Sequence, residues 1–265
     1  MVSLPFLAAA AIAPGTAFTL RTAAALLAVF STFLLRDPLV VLRRIHSDRS
    51  RLETANQRLT AKRSLCFCLG GLAISGTILL RTLPLVWVLL LGACGLVLVI
   101  GSVAIAVERS QREITSQMLG VTGLTGSCLP AYLAVRGDLD WLAPTIWALS
   151  ATHSLTSVFV VRARLEAILS QRRVAAGPPL GRFFGRAVGW QVGLWTILVA
   201  MALLGYPWLA LPFLLPSTLH GWELWQLRSG NGVQLSMRRL GWIQLAASVL
   251  FFSLLVLVFR SNFIP

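Results

Sequence analysis

The sequence predicts an all-α fold, a polytopic transmembrane helical bundle of about nine membrane segments that form a single integral membrane domain over residues 1–265. Three observations carry this expectation. Apolar stretches near the roughly 20 residues needed to cross a hydrocarbon core recur along the chain. Hydrophobic residues make up 57% of it and charged residues 12%, about half the charged share of a soluble domain. The basic residues are gathered into alternate connections between the apolar runs. Only helices and closed barrels satisfy every backbone group in lipid, and these runs are continuous rather than alternating, so the spans are helices.

The segments run in order from about Val2 to Leu20, Thr22 to Leu42, Ser64 to Leu80, Leu83 to Val107, Met118 to Val135, Trp141 to Val161, Ala187 to Leu204, Tyr206 to Gly221 and Gly241 to Phe259. The first opens at the initiator Met with no basic region before it and is interrupted by Pro14-Gly15, so it reads as a span entered part-way and not as a cleaved signal peptide. Pro38 interrupts the second and marks a helix break next to Arg36-Asp37. Pro207, Pro212 and Pro216 predict a kinked or broken eighth helix. Cys66, Cys68, Cys94 and Cys128 sit inside apolar runs and read as small buried hydrophobes.

Nine spans place the connections at about 43–63, 108–117, 162–186 and 222–240 on one side. These connections and their borders hold nineteen of the 23 basic residues, while Arg21, Arg81, Arg136 and Arg260 fall opposite. Basic loops stay in the cytoplasm, so the expected placement is the cell (inner) membrane with the N-terminus and basic loops cytoplasmic. The formal charge of +14 therefore faces the lipid bilayer and anionic lipid headgroups, not nucleic acid. Within 43–63, Ile45, Leu52 and Leu59 repeat every seven residues and Ser50 to Glu53 forms a capping box, which predicts a basic amphipathic helix on the membrane surface. Within 162–186, Arg162 to Glu166 continues the sixth helix, and Gly177-Pro178-Pro179 breaks it.

Nucleotide-binding glycine signatures, His-Glu-x-x-His and Gly-x-Ser-x-Gly are all absent. Candidate chemistry rests instead on polar residues in or beside the spans. Arg36 and Asp37 form a charged pair at the cytoplasmic interface, either functional or an ion pair ending the second span. His153 lies mid-span, as a ligand group or as a packing residue bonded to Ser150, Ser154 or Thr156. Arg162, Arg164 and Glu166 follow it. His220 and Glu223 flank Gly221-Trp222, where interface anchoring competes with facing the same space as Asp37 and Arg164. Arg136, Asp138 and Asp140 read as a solvated turn on the opposite side.

Phe33-Leu-Leu-Arg-Asp-Pro-Leu-Val-Val-Leu-Arg-Arg44, Val158-Phe-Val-Val-Arg-Ala-Arg-Leu165 and Arg238-Arg-Leu-Gly-Trp242 resemble the bacterial YwiC-like membrane proteins over most of the chain. That resemblance implies a multi-pass membrane protein and brings no established activity. It also implies a basic, His-Gly-containing segment ahead of the first span, which this sequence does not show. A second resemblance, in span count and cytoplasmic loops, is to UbiA-type membrane prenyltransferases. It implies a UbiA-like bundle, an isoprenyl diphosphate ligand and Mg²⁺ held by acidic motifs after the second and sixth spans. The first loop offers Asp37, Asp48 and Glu53 as metal ligands, but the second offers only Glu166 among arginines, a serious departure from the family pattern.

Three readings follow. The first, preferred on mechanism, is a UbiA-like bundle with a cytoplasm-facing cavity that binds an anionic lipid or isoprenoid diphosphate through Arg36, Arg162 and Arg164, as a prenyltransferase-like enzyme if it is one. Arginine forks match phosphate oxygens, although binding alone does not expel a leaving group. The second is a small-solute permease using His153, and the third a non-catalytic membrane scaffold.

Overall fold

The computed structural model describes residues 3–16, 19–47, 54–107, 114–173, 182–229 and 237–263. Every regular element among them is an α-helix: α1 (Ser3–Ile12), α2 (Leu20–Ser47), α3 (Thr54–Thr82), α4 (Leu85–Val107), α5 (Ile114–Thr125), α6 (Cys128–Arg136), α7 (Leu142–Arg173), α8 (Arg182–Leu203), α9 (Pro207–Arg228) and α10 (Met237–Phe263). All nine apolar segments are helical, and the fifth is divided into α5 and α6 by Gly126-Ser127.

Six candidate spans are long and apolar enough to cross a membrane: Leu20–Arg43, Asn56–Thr82, Leu85–Ala106, Gln117–Arg136, Phe183–Leu203 and Arg238–Asn262. Their large apolar side chains point outward as well as inward, with Phe67 79% exposed and Val86 and Leu203 similarly bare. In water such a surface would aggregate, whereas in lipid it is the expected exterior. The chain is a multi-pass membrane protein. α1 is short, and α7 and α9 carry too many polar residues or prolines to qualify by composition.

The chain divides into two compact units, residues 1–147 and 148–265. In the first, α2 is the central helix and packs on α3, α4 and α6, while α1 lies on α6. Leu35, Val40, Cys68, Val99, Val103 and Ala106 form a core flanked by Leu39, Leu65 and Leu72. Small residues bring backbones together where lipid supplies no hydrophobic drive. Ala8, Ala9, Ala10 and Ala13 are buried at one end of the chain, as are Ala131 and Ala134 on α6. A Cβ built on Gly71 of α3 would lie 2.4 Å from the Ser31 hydroxyl of α2. In the second unit α9 packs between α8 and α10, and the part of α7 from Ala148 onward joins them through side chains described below.

The structure corrects four expectations. α2 runs unbroken through Pro38, so Arg36-Asp37 lies inside a helix and not at a break. α9 likewise continues through Pro212 and Pro216. Proline removes one donor and crowds the carbonyl four residues earlier, but the other helix bonds and the surrounding packing carry the helix past it. The 43–63 segment forms no separate surface helix among the described residues, because Arg43 to Ser47 finish α2 and Thr54 to Arg63 open α3. Cys66 and Cys94 are exposed on their helices, not buried, while Cys68 and Cys128 are buried. α7 does continue past Val161, to Arg173. The Ser50 to Glu53 capping box and Gly177-Pro178-Pro179 lie outside the described residues.

Candidate functional site

Three helices of the second unit each turn one polar face inward. On α7 this face carries Ser150, His153 and Arg164, on α9 Ser217, His220 and Glu223, and on α10 Gln244 and Ser248, all buried. The spacings of three and four residues within each set place them one turn apart on the same side of a helix. These positions explain why α7 and α9 are less apolar than their neighbours: their polar residues face other helices, so the lipid-facing sides stay apolar.

The side chains form a connected series. His153 Nε2 lies 3.3 Å from Ser248 Oγ, and its ring stacks on Phe251 with centroids 4.1 Å apart and planes 5° apart. The His220 ring lies 6.3 Å from that of His153. His220 Nε2 is 3.1 Å from Gln244 Oε1. A carboxamide oxygen only accepts, so His220 must carry its proton on Nε2 and donate. Gln244 Nε2 then donates to Glu223 Oε2 at 3.0 Å. Glu223 Oε1 faces Arg164 Nη1 at 3.8 Å and makes no hydrogen bond among the described residues. His153 and His220 are each 2% exposed, Arg164 1% and Glu223 5%. The series therefore runs from a hydroxyl through two imidazoles and an amide to a buried ion pair.

α8 closes the unit from another side. Gln191 Nε2 donates to the Ser217 carbonyl at 2.9 Å, and its Oε1 is buried without a hydrogen-bond partner, as is Ser150 Oγ. Trp190 Nε1 donates to Thr156 Oγ1 at 3.0 Å, and its ring lies 5.0 Å from that of Phe159. Near the start of α8, the guanidiniums of Arg162 and Arg186 lie 5.3 and 5.5 Å from the Phe183 ring centroid. Glu166 Oε2 accepts the Phe183 N–H at 2.9 Å, which satisfies one donor of the helix's first turn.

Of the residues singled out from sequence, His153, Arg164, His220 and Glu223 converge on one network. His220 and Glu223 are buried within it, correcting the interface-anchor reading, and the His153 partner is Ser248 of α10 and not a neighbour on its own helix. Arg162 and Glu166 form a separate group with Phe183. Two residues apart on a helix point to different sides, so Arg162 and Arg164 do not form a single fork. Arg36 and Asp37 belong to the first unit. Asp37 is exposed, and Arg36 is half-buried with its Nε lacking a hydrogen-bond partner. Asp48 and Glu53, the other candidate metal ligands, lie outside the described residues. Among the described residues, no three His, Cys, Asp or Glu side chains cluster closely enough to hold a metal ion.

Gln191, Ser217, Gln244 and Ser248 were missed. The available signal was Gln244 and Ser248 at i, i+4 spacing inside an otherwise apolar span, which marks one polar stripe. The Arg136 turn is as expected: Arg136 pairs with Asp140, Asp138 accepts the Trp87 indole N–H at 2.6 Å, and Asp140 accepts the Leu142 N–H at 3.1 Å where α7 begins.

The YwiC-like protein family model matches residues 1–135. No curated protein and no solved structure matches the chain. The family match falls within the first unit, while the buried network lies wholly in the second.

Proposed function

Because this chain belongs to the YwiC-like family and is a multi-pass membrane protein, we propose that it is a small-solute permease whose binding centre is the network of His153, Arg164, His220, Glu223 and Gln244. The observation that carries this reading is the burial of two imidazoles, a carboxylate and a guanidinium in one connected series between helices. Ionisable groups are expensive at membrane depth, and where they occur they face a bundle interior and mark ion or substrate paths. A scaffold would gain as much from apolar contacts at lower desolvation cost. We place the N-terminus and the basic connections on the cytoplasmic side of the inner membrane. The test is solute uptake into proteoliposomes under an imposed pH gradient. Glu223→Gln and His153→Ala are each expected to reduce uptake at least tenfold in protein that elutes as a folded species. Undiminished uptake in both variants would remove the network from the transport path.

One observation favours a second reading, binding of an anionic lipid or isoprenoid diphosphate. Two guanidiniums gathered on Phe183, with Glu166 on the adjoining backbone, form a cationic cluster next to an apolar helix, and arginine forks suit phosphate oxygens. Prenyl transfer in a UbiA-like bundle would further require Mg²⁺ on Asp37, Asp48 and Glu53. A thermal-shift series with isoprenyl diphosphates, with and without Mg²⁺, separates the two. Stabilisation that is lost in Arg162→Ala/Arg186→Ala supports lipid binding, and dependence on Mg²⁺ and on Asp37 supports transfer.

A further inference from the structure

We propose that Arg164 is the seat of a small organic carboxylate, and that Glu223 is the internal carboxylate that occupies this seat until the substrate anion arrives together with one proton. This rests on the permease reading and adds a substrate class and a coupling mode to it.

The two oxygens of Glu223 are treated differently. Gln244 holds Oε2 at 3.0 Å, and Gln244 is itself oriented by His220. Oε1 faces Arg164 across 3.8 Å without a hydrogen bond, although charge-assisted N–H···O bonds close to roughly 2.7–2.9 Å. The carboxylate is thus anchored through one oxygen and only loosely paired through the other. A structural ion pair at this depth would be expected to close, because desolvation is offset only by good geometry. A loose pair leaves the guanidinium open to a second carboxylate.

Burial then dictates the exchange. Arg164 is 1% exposed and stays charged, so it cannot be left without an anion. If Glu223 takes a proton on Oε1, an O–H bond forms, its charge disappears, and Oε2 keeps the bond from Gln244. The substrate carboxylate supplies the negative charge that Glu223 gave up. One proton and one anion enter, and the net charge of the site is unchanged. Among the described residues, the charged and titratable groups around Glu223 are Arg164 and His153 from α7 and His220 from its own helix. α8 and α10 bring only uncharged groups, Gln191 from the former and Gln244 and Ser248 from the latter. No second carboxylate competes for the proton within this series. The unpartnered Ser150 Oγ and Gln191 Oε1 leave polar capacity in the same unit for the rest of a solute.

The experiment is isothermal titration of the detergent-purified full chain with acetate, propionate and benzoate between pH 6 and 8, where all three are anions. The expected result is an affinity that rises about tenfold for each unit of pH lowered, with one proton taken up per anion. Glu223→Gln, which mimics the protonated acid, is expected to bind at pH 8 as tightly as the unaltered chain does at pH 6, without pH dependence. Arg164→Gln is expected to abolish binding. No binding of any of the three, or pH-independent binding by the unaltered chain, overturns the proposal. If Glu223→Gln does not fold, titration of the unaltered chain in two buffers of different ionisation enthalpy decides: proton uptake supports the proposal and its absence overturns it. Proton-linked binding without uptake into proteoliposomes would refute the permease reading alone. Uptake of other solutes without carboxylate binding would refute this inference alone.

Discussion

At the scale of single residues, Arg164 and Glu223 test whether the buried pair acts as a unit. Removing one partner leaves the other buried and uncompensated, at a cost of about 3–5 kcal/mol, while replacing both with apolar residues of similar volume is close to neutral. Glu223→Leu is therefore expected to destabilise the protein strongly, and Arg164→Met/Glu223→Leu to recover most of the loss, read from a double-mutant cycle of unfolding in detergent. Additive single and double effects would mean that the two do not interact. These residues were legible in the sequence because a charge inside an apolar run is rare and demands a partner. Gln244, Ser248 and Gln191 were not, since uncharged polar residues are ordinary helix-packing groups in membranes. The partner of His153, on α10, is 95 positions away in the chain, and no local pattern encodes that pairing.

At the scale of elements, glycines separate two kinds of constraint. Gly137 ends α6 in the left-handed region, with φ of 89° and its N–H bonded to the Leu133 carbonyl. Space around its Cα is open, so Gly137→Ala is expected to cost about 1–2 kcal/mol from backbone strain alone. Gly185, inside α8, also has open space and helical geometry. There, alanine is expected to stabilise by about 0.5–1 kcal/mol. Gly71 differs from both, because an added Cβ meets the Ser31 hydroxyl. Gly71→Ala should lower the melting temperature, and Ser31→Ala in the same chain should restore it; failure of the second change to rescue the first would locate the conflict elsewhere. Helix existence was legible along the whole chain, and helix continuity was not. A proline predicts a lost bond at one carbonyl, whereas the cost of breaking α2 or α9 is set by the neighbours each helix would have to leave.

At the scale of the whole molecule, the apolar exterior predicts that the protein stays with the membrane pellet after an alkaline carbonate wash and is released only by detergent. The proposed orientation with nine crossings puts the C-terminus outside, so a C-terminal alkaline phosphatase fusion should be active and a fluorescent-protein fusion dark. The reverse pattern would mean an even number of crossings or an inverted protein. Basic-loop asymmetry and apolar lengths made the membrane class readable. Composition alone under-reports α7 and α9, because a helix sheltered by others can spend its inner face on polar side chains. The helices hardest to recognise as membrane elements are thus the two that bring most of the ionisable groups together.

The length of α7 between His153 and Arg164 has a further consequence. Eleven residues are close to three full turns, a mismatch of roughly 20° over about 16 Å of axis. The helix acts as a ruler that keeps two distant side chains in phase, so its length between them tolerates change only in near-whole turns. One alanine inserted between Val158 and Phe159 would rotate Arg164 by about 100° relative to His153. That insertion would separate the two ends of the network without altering a single residue in it.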